Sequence, residues 1–396
     1  MASEQPPVLI IGAGVVGLTL AQALKKERIP FRIFERDEHI DARGHGWGIT
    51  IWALDSWDVC LPASLLARLP EAEVNPAEAR RNRAKFMFLN LKTGQPLYQV
   101  QVKNQRRLNR EKIRKLLLNG IDVEWNKSIM ALDPDADDGV RVTFQDGTSV
   151  TGSTLRPLPI RFLGVTIKLT PEEIKPLSSL DPMLFQGTHP ETGTFMWYSL
   201  LDTPETNGTK YYRCQLNVSW PVQSPEDEVP DSNSARLDRL RKLSEPFDER
   251  FRAAFNKIPD NTEAVEIKLR DWPCLSWPTF GGKVTLAGDA AHAMVMYRGE
   301  GANHGITDAC ELRDQLVEVW KSKGGGGDIT QAKAIENYEA GMRPRSIWSV
   351  EMSRQACIDA HDFSRINGSS ALSARNTRFR VTGGLQSDQV PPPEAG

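Results

Sequence analysis

The chain has 396 residues, enough to bury a large core and to divide into two or three lobes. Its 49 basic and 51 acidic residues nearly cancel to a formal charge of −2, which removes any general electrostatic pull on nucleic acid or an anionic membrane. No apolar run reaches the length of a membrane span, the N-terminus lacks the regions of a signal peptide, and five scattered cysteines form no CxxC pair. These features point to a cytosolic protein without a membrane segment, disulfide framework or zinc site.

The stretch PPVLIIGAGVVGLTLAQALKKERIPFRIFERD reads as a complete βαβ unit. A strand at Val8–Ile11 runs into Gly12-Ala13-Gly14-Val15-Val16-Gly17. A helix follows with Val16, Leu20, Ala23 and Leu24 on one face, and a second strand, Phe31–Phe34, ends at Glu35. Gly12 permits the tight turn, Gly14 removes the Cβ that would block a pyrophosphate, and Gly17 lets the helix pack close to the strand. The helix N-terminus offers free N–H groups and a positive dipole end to the anion. Glu35, 18 residues after Gly17, stands near the spacing of an acid that accepts ribose hydroxyls. A bare GxGxxG is weak evidence. With strand, helix and acid in place, it points to a bound dinucleotide.

Beyond Glu35, Gly44, Gly46 and Gly48 alternate with His45 and Trp47. That spacing suits a backbone passing close to a flat ligand, or a loop entering an edge strand. Residues 62–85 read as helical and solvated, and Phe86–Leu91 with Pro96–Val102 as a hairpin. In RRLNREKIRKLLLNG, Ile113, Leu116 and Leu117 face inward on a helix. Arg106, Arg107, Arg110, Lys112, Arg114 and Lys115 form its solvated face, since no interleaved aromatics mark a nucleic-acid patch. Asp122–Trp125 follows as a strand, then Val140–Phe144 and Ser149–Thr151 across an Asp146-Gly147 hairpin turn.

From Pro157 to about Leu269, strands rich in β-branched and aromatic residues alternate with Pro-bearing loops, the pattern of a largely antiparallel sheet. Tyr198, Tyr212 and Arg213 lie there as candidate substrate-facing residues, with ordinary sheet positions the favoured reading. A helix over Ala235–Ile258 carries Leu237, Leu240, Leu243, Phe247, Phe251 and Phe255 as a core stripe. A strand at Val284–Ala287 then delivers Gly288-Asp289 at its carboxyl end, where ligands of open α/β sheets bind. The turn Arg298-Gly299-Glu300-Gly301-Ala302-Asn303 opens a helix whose N-terminus favours negative charge. His292 and His304 read as histidines satisfying local backbone. Residues 329–363 read as helical with an interruption before Pro344, and the polar tail from Gly368 as mobile.

Three separated blocks, GAGVVG with Glu35, LNREKIRKLL and AGDAAH with RGEGANHGITDA, together resemble the FAD-dependent aromatic hydroxylases, the group A flavin monooxygenases. The likeness is strongest to the fungal salicylate hydroxylase-like and natural-product tailoring branch, and it runs from Val8 to about Ser364. It implies that Gly12, Gly14, Gly17 and Glu35 hold the ADP half of FAD, and that Gly48 lies along the cofactor. It further implies that Arg110 reaches the flavin side, Asp289 meets the pyrophosphate and ribityl chain, and Gly301-Ala302 belong to the loop under the isoalloxazine. NAD(P)H is implied as reductant, with one atom of O2 passing to an aromatic or polyketide-like small molecule; no catalytic side chain is assigned.

The implied fold is α/β, a Rossmann-like FAD-binding domain with an inserted, mainly antiparallel β-sheet substrate lobe and C-terminal helices. Residues 1–156 and 271–323 would form the FAD-binding domain, 157–270 the substrate lobe, 324–367 a helical segment and 368–396 the tail. One departure stands out. After FQDGTSVTG the family pattern calls for a strand and an Asp-Gly motif with a nearby Arg, contacting both FAD and nicotinamide. Here only Ser153-Thr154-Leu155 remains, short by on the order of 20 to 25 residues, a strand and its turn. Ala293 and Tyr297 also stand where many family members carry prolines.

Overall fold

A computed structural model describes residues 6–42, 46–81, 86–99, 105–133, 141–144, 156–323 and 329–373. β1 (Val8–Ile11), α1 (Val15–Lys26) and β2 (Phe31–Phe34) form the βαβ unit, with the strands parallel and Val8 opposite Phe31. Gly14 caps α1 in an extended conformation without a side-chain cap, so the first N–H groups of the helix remain available to an anion. β3 (Gly48–Ile51) leads to α2 (Leu54–Cys60). Residues 62–85 do not form one solvated helix. They fold as α3 (Ala63–Leu66), a 3-10 turn at Leu69–Ala72 and α4 (Pro76–Arg80), with residues 82–85 outside the described set. Pro62, Pro70 and Pro76 each stand at the start of one of these pieces, where a missing N–H is tolerated. Leu65, Leu69 and Ala72 are buried.

β4 (Met87–Asn90) and β5 (Pro96–Gln99) form an antiparallel hairpin. β6 (Arg106–Asn109) pairs antiparallel with β3, and Asn109 caps α5 (Arg110–Leu117) by accepting from the Glu111 and Lys112 N–H groups. The solvated-face reading therefore fails for two arginines: Arg107 sits in a strand and Arg114 in α5, and both are buried. β7 (Val123–Glu124) runs parallel to β2, giving the order β1-β2-β7. β8 (Ile129–Asp133) pairs with β9 (Arg141–Phe144). The expected Asp146-Gly147 tip, Ser149–Thr151 and Ser153-Thr154-Leu155 lie outside the described residues.

β10 (Arg156–Pro157) enters the next region, where β11 (Ile160–Leu169), α6 (Pro171–Ser178), β12 (Leu184–Thr188), β13 (Phe195–Asp202), α7 (Pro204–Asn207) and β14 (Tyr212–Pro221) follow. The stripe expected as one helix is two, α8 (Asn233–Ser244) and α9 (Glu249–Asn256), because Pro246 lies between them and Asp248 caps the second. β15 (Val265–Glu266) and β16 (Arg270–Asp271) complete the strands. The large sheet has the order β15-β11-β14-β13-β12-β4-β5 and is antiparallel except where β12 meets β4. Leu240, Phe247, Phe251 and Phe255 pack with Phe185 and Tyr198 in one core cluster. Tyr198 stacks on Phe185 with ring centres 4.8 Å apart, and Arg213 pairs with Asp202 at 2.7 Å, so both serve the sheet.

The C-terminal part contributes α10 (Asp289–His292), α11 (Gly301–Lys323) and α12 (Gln331–Asp359). The expected strand at Val284–Ala287 does not form a ladder among the described residues. Among the described residues no strand pairs with the second edge of β1, where Ile11 is 42% exposed. The interruption expected before Pro344 is also absent, and α12 runs straight through it. The carbonyl deprived of a partner belongs to exposed Ala340, where water can reach it, while buried Met342, Ser346, Ser349 and Val350 anchor both halves. The start of the tail is packed: Leu372 is buried, and Ala371 accepts a hydrogen bond from Arg298. Residues 374–396 lie outside the described set. Among the described residues, no helix is long and apolar enough to cross a membrane.

Candidate cofactor and substrate site

The glycine turn after β1 holds an open cradle. Gly12 has φ +106°, a conformation L side chains rarely adopt, and a Cβ added at Gly12 or Gly14 would meet nothing within 4 Å. At Gly17 the reverse holds, since its Cβ would lie 1.9 Å from the Gly12 carbonyl oxygen. That separation fits the division of roles expected for a pyrophosphate turn: space at the first two glycines, close packing at the third.

Glu35 stands at the end of β2, buried, and accepts from the Ala13 N–H at 2.8 Å and the Asp37 N–H at 3.2 Å. Each carboxylate oxygen has a second lone pair, so the same group can take ribose hydroxyls. Arg114 reaches the turn from α5. Its Nε donates to the Ala13 carbonyl at 2.8 Å, and Nη2 lies 3.5 Å from Glu35 and 3.4 Å from Asp37. The sequence offered only a weak signal for Arg114: a base three residues before Leu117, on the side adjoining the inward stripe.

At the other end, Gly288 turns with φ +60° into α10, which begins at Asp289. Asp289 lines the cavity and is open to it. Crowding by protein raises its pKa, opposed by His292 and Arg110. The turn is bolted down from behind. Asp308 Oδ2 accepts from the Gly288 N–H at 2.8 Å and meets His292 Nε2 at 2.6 Å, while Arg345 donates to Asp308 Oδ1 at 3.0 Å and Glu311 at 2.6 Å. Burial opposes the Asp308 charge, but His292, Arg345 and the Gly288 N–H overcome it and hold the pKa below the ordinary value. His304 contacts Arg345 at 3.2 Å; burial and that cation push its pKa down to about 3, so it is neutral. Both histidines thus serve side-chain contacts between helices rather than local backbone. The signal for this cluster was present as His304, Asp308 and Glu311, spaced along one face of α11.

Asn303 ties the same helix start to β3. Its Oδ1 accepts from the Trp52 and Ala53 N–H groups at 2.8 and 3.1 Å, and its Nδ2 donates to the Thr50 and Gly299 carbonyls at 2.9 and 3.1 Å. All four valences of a buried amide are used, which fixes Gly301-Ala302 against Gly48–Ile51.

One cavity of about 340 Å³ joins these pieces. Gly48, Arg110, Asp289, Gly301 and Ala302 line it, and so do Trp197, Ser199, Gln215 and Asn217 from the large sheet. Met294, Val295, Met296, Phe86, Leu184 and Ile267 give it an apolar wall. Gly12, Gly14, Gly17 and Glu35 do not line this cavity; they belong to the cradle at β1. Gly48 marks a close approach, since a Cβ there would fall 2.5 Å from Arg107 Nη2 and 2.7 Å from Ser199 Oγ. Among the described residues no group of three or more His, Cys, Asp or Glu side chains is placed to hold a metal ion.

Comparison with known proteins identifies the family. The family described as FAD binding domain matches residues 271–345, and the family described as NAD(P)-binding Rossmann-like domain matches residues 10–49. The chain is 42% identical to the FAD-dependent monooxygenase dbaB of Emericella nidulans over 82% of its own length and 90% of the relative's. It is 38% identical to a probable FAD-dependent monooxygenase of Arthroderma benhamiae, over 95% and 97%. The first alignment spans 359 positions against about 325 residues of this chain, 82% of 396, and the second spans 416 against about 376, 95% of 396. Each relative therefore carries internal positions without a counterpart here. Among solved structures, 2,6-dihydroxypyridine-3-hydroxylase from Arthrobacter nicotinovorans superposes with a TM-score of 0.73 at 15% identity, covering 96% of this chain and 100% of that one, a likeness of fold. By these relatives and the FAD-binding match, the chain belongs to the FAD-dependent monooxygenases and binds FAD.

Proposed function

We propose that the protein reduces its FAD with NAD(P)H and uses O2 to place one oxygen atom on an aromatic or polyketide-like small molecule, as a tailoring step of fungal secondary metabolism. The observation that carries this reading is the shared cavity, where Gly48, Arg110, Asp289, Gly301 and Ala302 face the same space as Trp197, Ser199, Gln215 and Asn217. Bound FAD supplies the redox chemistry and the activation of O2. The chain supplies the rest.

In this reading residues 1–156 and 271–323 form the FAD-binding domain around the substrate lobe 157–270. Gly12, Gly14, Gly17 and the free N–H groups of α1 take the pyrophosphate, and Glu35 accepts the ribose hydroxyls. Asp289 meets the pyrophosphate and ribityl chain, Gly48 lets the cofactor pass close to β3, and Arg110 reaches the flavin side. The N-terminus of α11 at Gly301-Ala302 favours negative charge on the flavin ring. The apolar wall of Phe86, Leu184, Ile267 and Met294–Met296 excludes water from the reacting atoms.

A second reading, oxidation without oxygen insertion, is favoured by the edge of β1 that no described strand pairs with and by the aligned positions this chain lacks. The two differ in measurable ways. The first expects the yellow protein to bleach with NADPH or NADH under anaerobic conditions and label from 18O2 to enter the product. Substrate turnover with no label in the product would overturn it in favour of the second.

A further inference from the structure

Arg107 is a buried cation. It is 8% exposed and lines the cavity from β6. Nη1 donates to Thr50 Oγ1 at 2.9 Å and Nη2 to Ser199 Oγ at 2.6 Å, both neutral hydroxyls, and Nε has no partner. No ion pair engages it among the described residues. The one carboxylate that acts on it from a distance, Asp181, accepts the Met183 and Leu184 N–H groups. The other buried arginines are neutralised within the protein: Arg114 by Glu35 and Asp37, Arg298 by Glu300. Burying a lone guanidinium is unfavourable unless something compensates its charge, and burial here pulls its pKa down to about 9.

The surroundings describe what the compensating group belongs to. Trp197, 6.0 Å from the guanidinium carbon to its ring centre, leaves its Nε1 without a partner, and Asn217 Oδ1 is likewise unpaired; both residues line the same cavity. Phe86 adds a second ring to the lining, and Leu184 and Ile267 add aliphatic contact. The space is thus lined by the aromatic side chains of Trp197 and Phe86, by aliphatic residues and by a cation that no described carboxylate pairs with.

We propose that the cavity binds an aromatic ligand through an ionised oxygen, carboxylate or phenolate, set against the Arg107 guanidinium. This rests on reading the cavity as the substrate site of the monooxygenase. Arg107 is then a binding and orienting residue that selects the anionic member of any acid and neutral pair.

The test uses the FAD-loaded protein and follows the flavin absorption spectrum during titration with two matched pairs at mildly alkaline pH: naphthoate against naphthamide, and para-nitrophenolate against para-nitroanisole. In at least one pair the anion should bind tenfold or more tighter than its neutral partner, and the responding pair identifies carboxylate or phenolate as the source. Arg107→Gln should erase that preference and Arg107→Lys retain part of it, with FAD content unchanged in both. Equal or reversed affinities in both pairs, or no binding of either anion at millimolar concentration, overturns the proposal, and this needs only the wild-type protein. An Arg107→Gln protein that keeps the preference, or that loses FAD while keeping it, also overturns it and assigns Arg107 to the cofactor. An anion that binds through Arg107 but receives no label from 18O2 would sink the monooxygenase reading while leaving the anion site intact.

Discussion

Arg114 and Arg107 lie seven residues apart in sequence and are buried alike, at 6% and 8% exposure, yet they are electrostatic opposites. Arg114 is closed on itself: the Ala13 carbonyl, Glu35 and Asp37 take its charge, and the glycine turn is built around it. Among the described residues, Arg107 hydrogen-bonds only to the hydroxyls of Thr50 and Ser199. The difference teaches where the fold is complete and where it waits for a ligand. At the glycine turn the protein pairs its own charges with one another. At the sheet end it keeps a charge unpaired, a stability cost that a ligand can offset.

The harshest way to break the comparison is at Gly17. A Gly17→Val side chain would drive into the Gly12 carbonyl, from which even a Cβ would stand at 1.9 Å. The turn must distort, at about 3 kcal/mol or more, and the purified protein should lack flavin absorbance. Retention of a full complement of FAD would mean that the cradle is not the pyrophosphate site.

The two arginines can be set against each other directly. Arg114→Met strips Glu35 and Asp37 of a buried partner and should lower unfolding stability in urea by roughly 3–5 kcal/mol. Arg107→Met removes a lone buried charge along with two neutral hydrogen bonds of about 1 kcal/mol each. Its stability should stay within about 1 kcal/mol of wild type. Equal losses in the two variants would show that Arg107 is compensated after all.

A smaller effect concerns buried histidines. Burial holds His304 at about 3 and His361 at about 4, against 6.5 when unfolded. The unfolded chain therefore binds more protons between those values, so stability is full above pH 6.5 and falls on acidification toward pH 3–4. At pH 5 each should cost on the order of 1–2 kcal/mol, which His361→Gln would partly remove from the pH profile of Tm. A Tm unchanged from pH 7 to pH 5 would contradict the neutral, buried state of both rings. The least effect belongs to the surface. Glu124→Gln breaks an exposed pair with Arg32 at 2.7 Å and should cost below about 1 kcal/mol in the same urea assay. A loss as large as that of Arg114→Met would erase the contrast between buried and exposed pairs.

Much of the dinucleotide end was legible in residue order, because its logic is local. Three glycines, a strand before and a helix after define a turn within ten residues, and the acid that braces it closes the very next strand. The solvated-face reading of RRLNREKIRKLL failed at Arg107 and Arg114 for a related reason. A helical pattern assigns faces only relative to solvent, whereas β6 joins β3, and α5 lies against the glycine turn. Pro344 misled in the same way, since the rule for an isolated helix omits the packing that holds α12 together on both sides of it.

The opening βαβ unit, the need for a dinucleotide and the antiparallel strands from Pro157 onward were determined by the sequence itself, because periodicity and turn chemistry act over a few neighbouring residues. What the tertiary structure alone decided is which distant side chains share a space. It brought Asp308, His292 and Arg345 behind the Gly288 turn, set Asn303 across to β3, and left Val284–Ala287 outside every described strand ladder. It also placed Arg107 in a cavity where no described carboxylate forms an ion pair with it. Charge compensation is a property of positions in space, and no spacing along the chain encodes it.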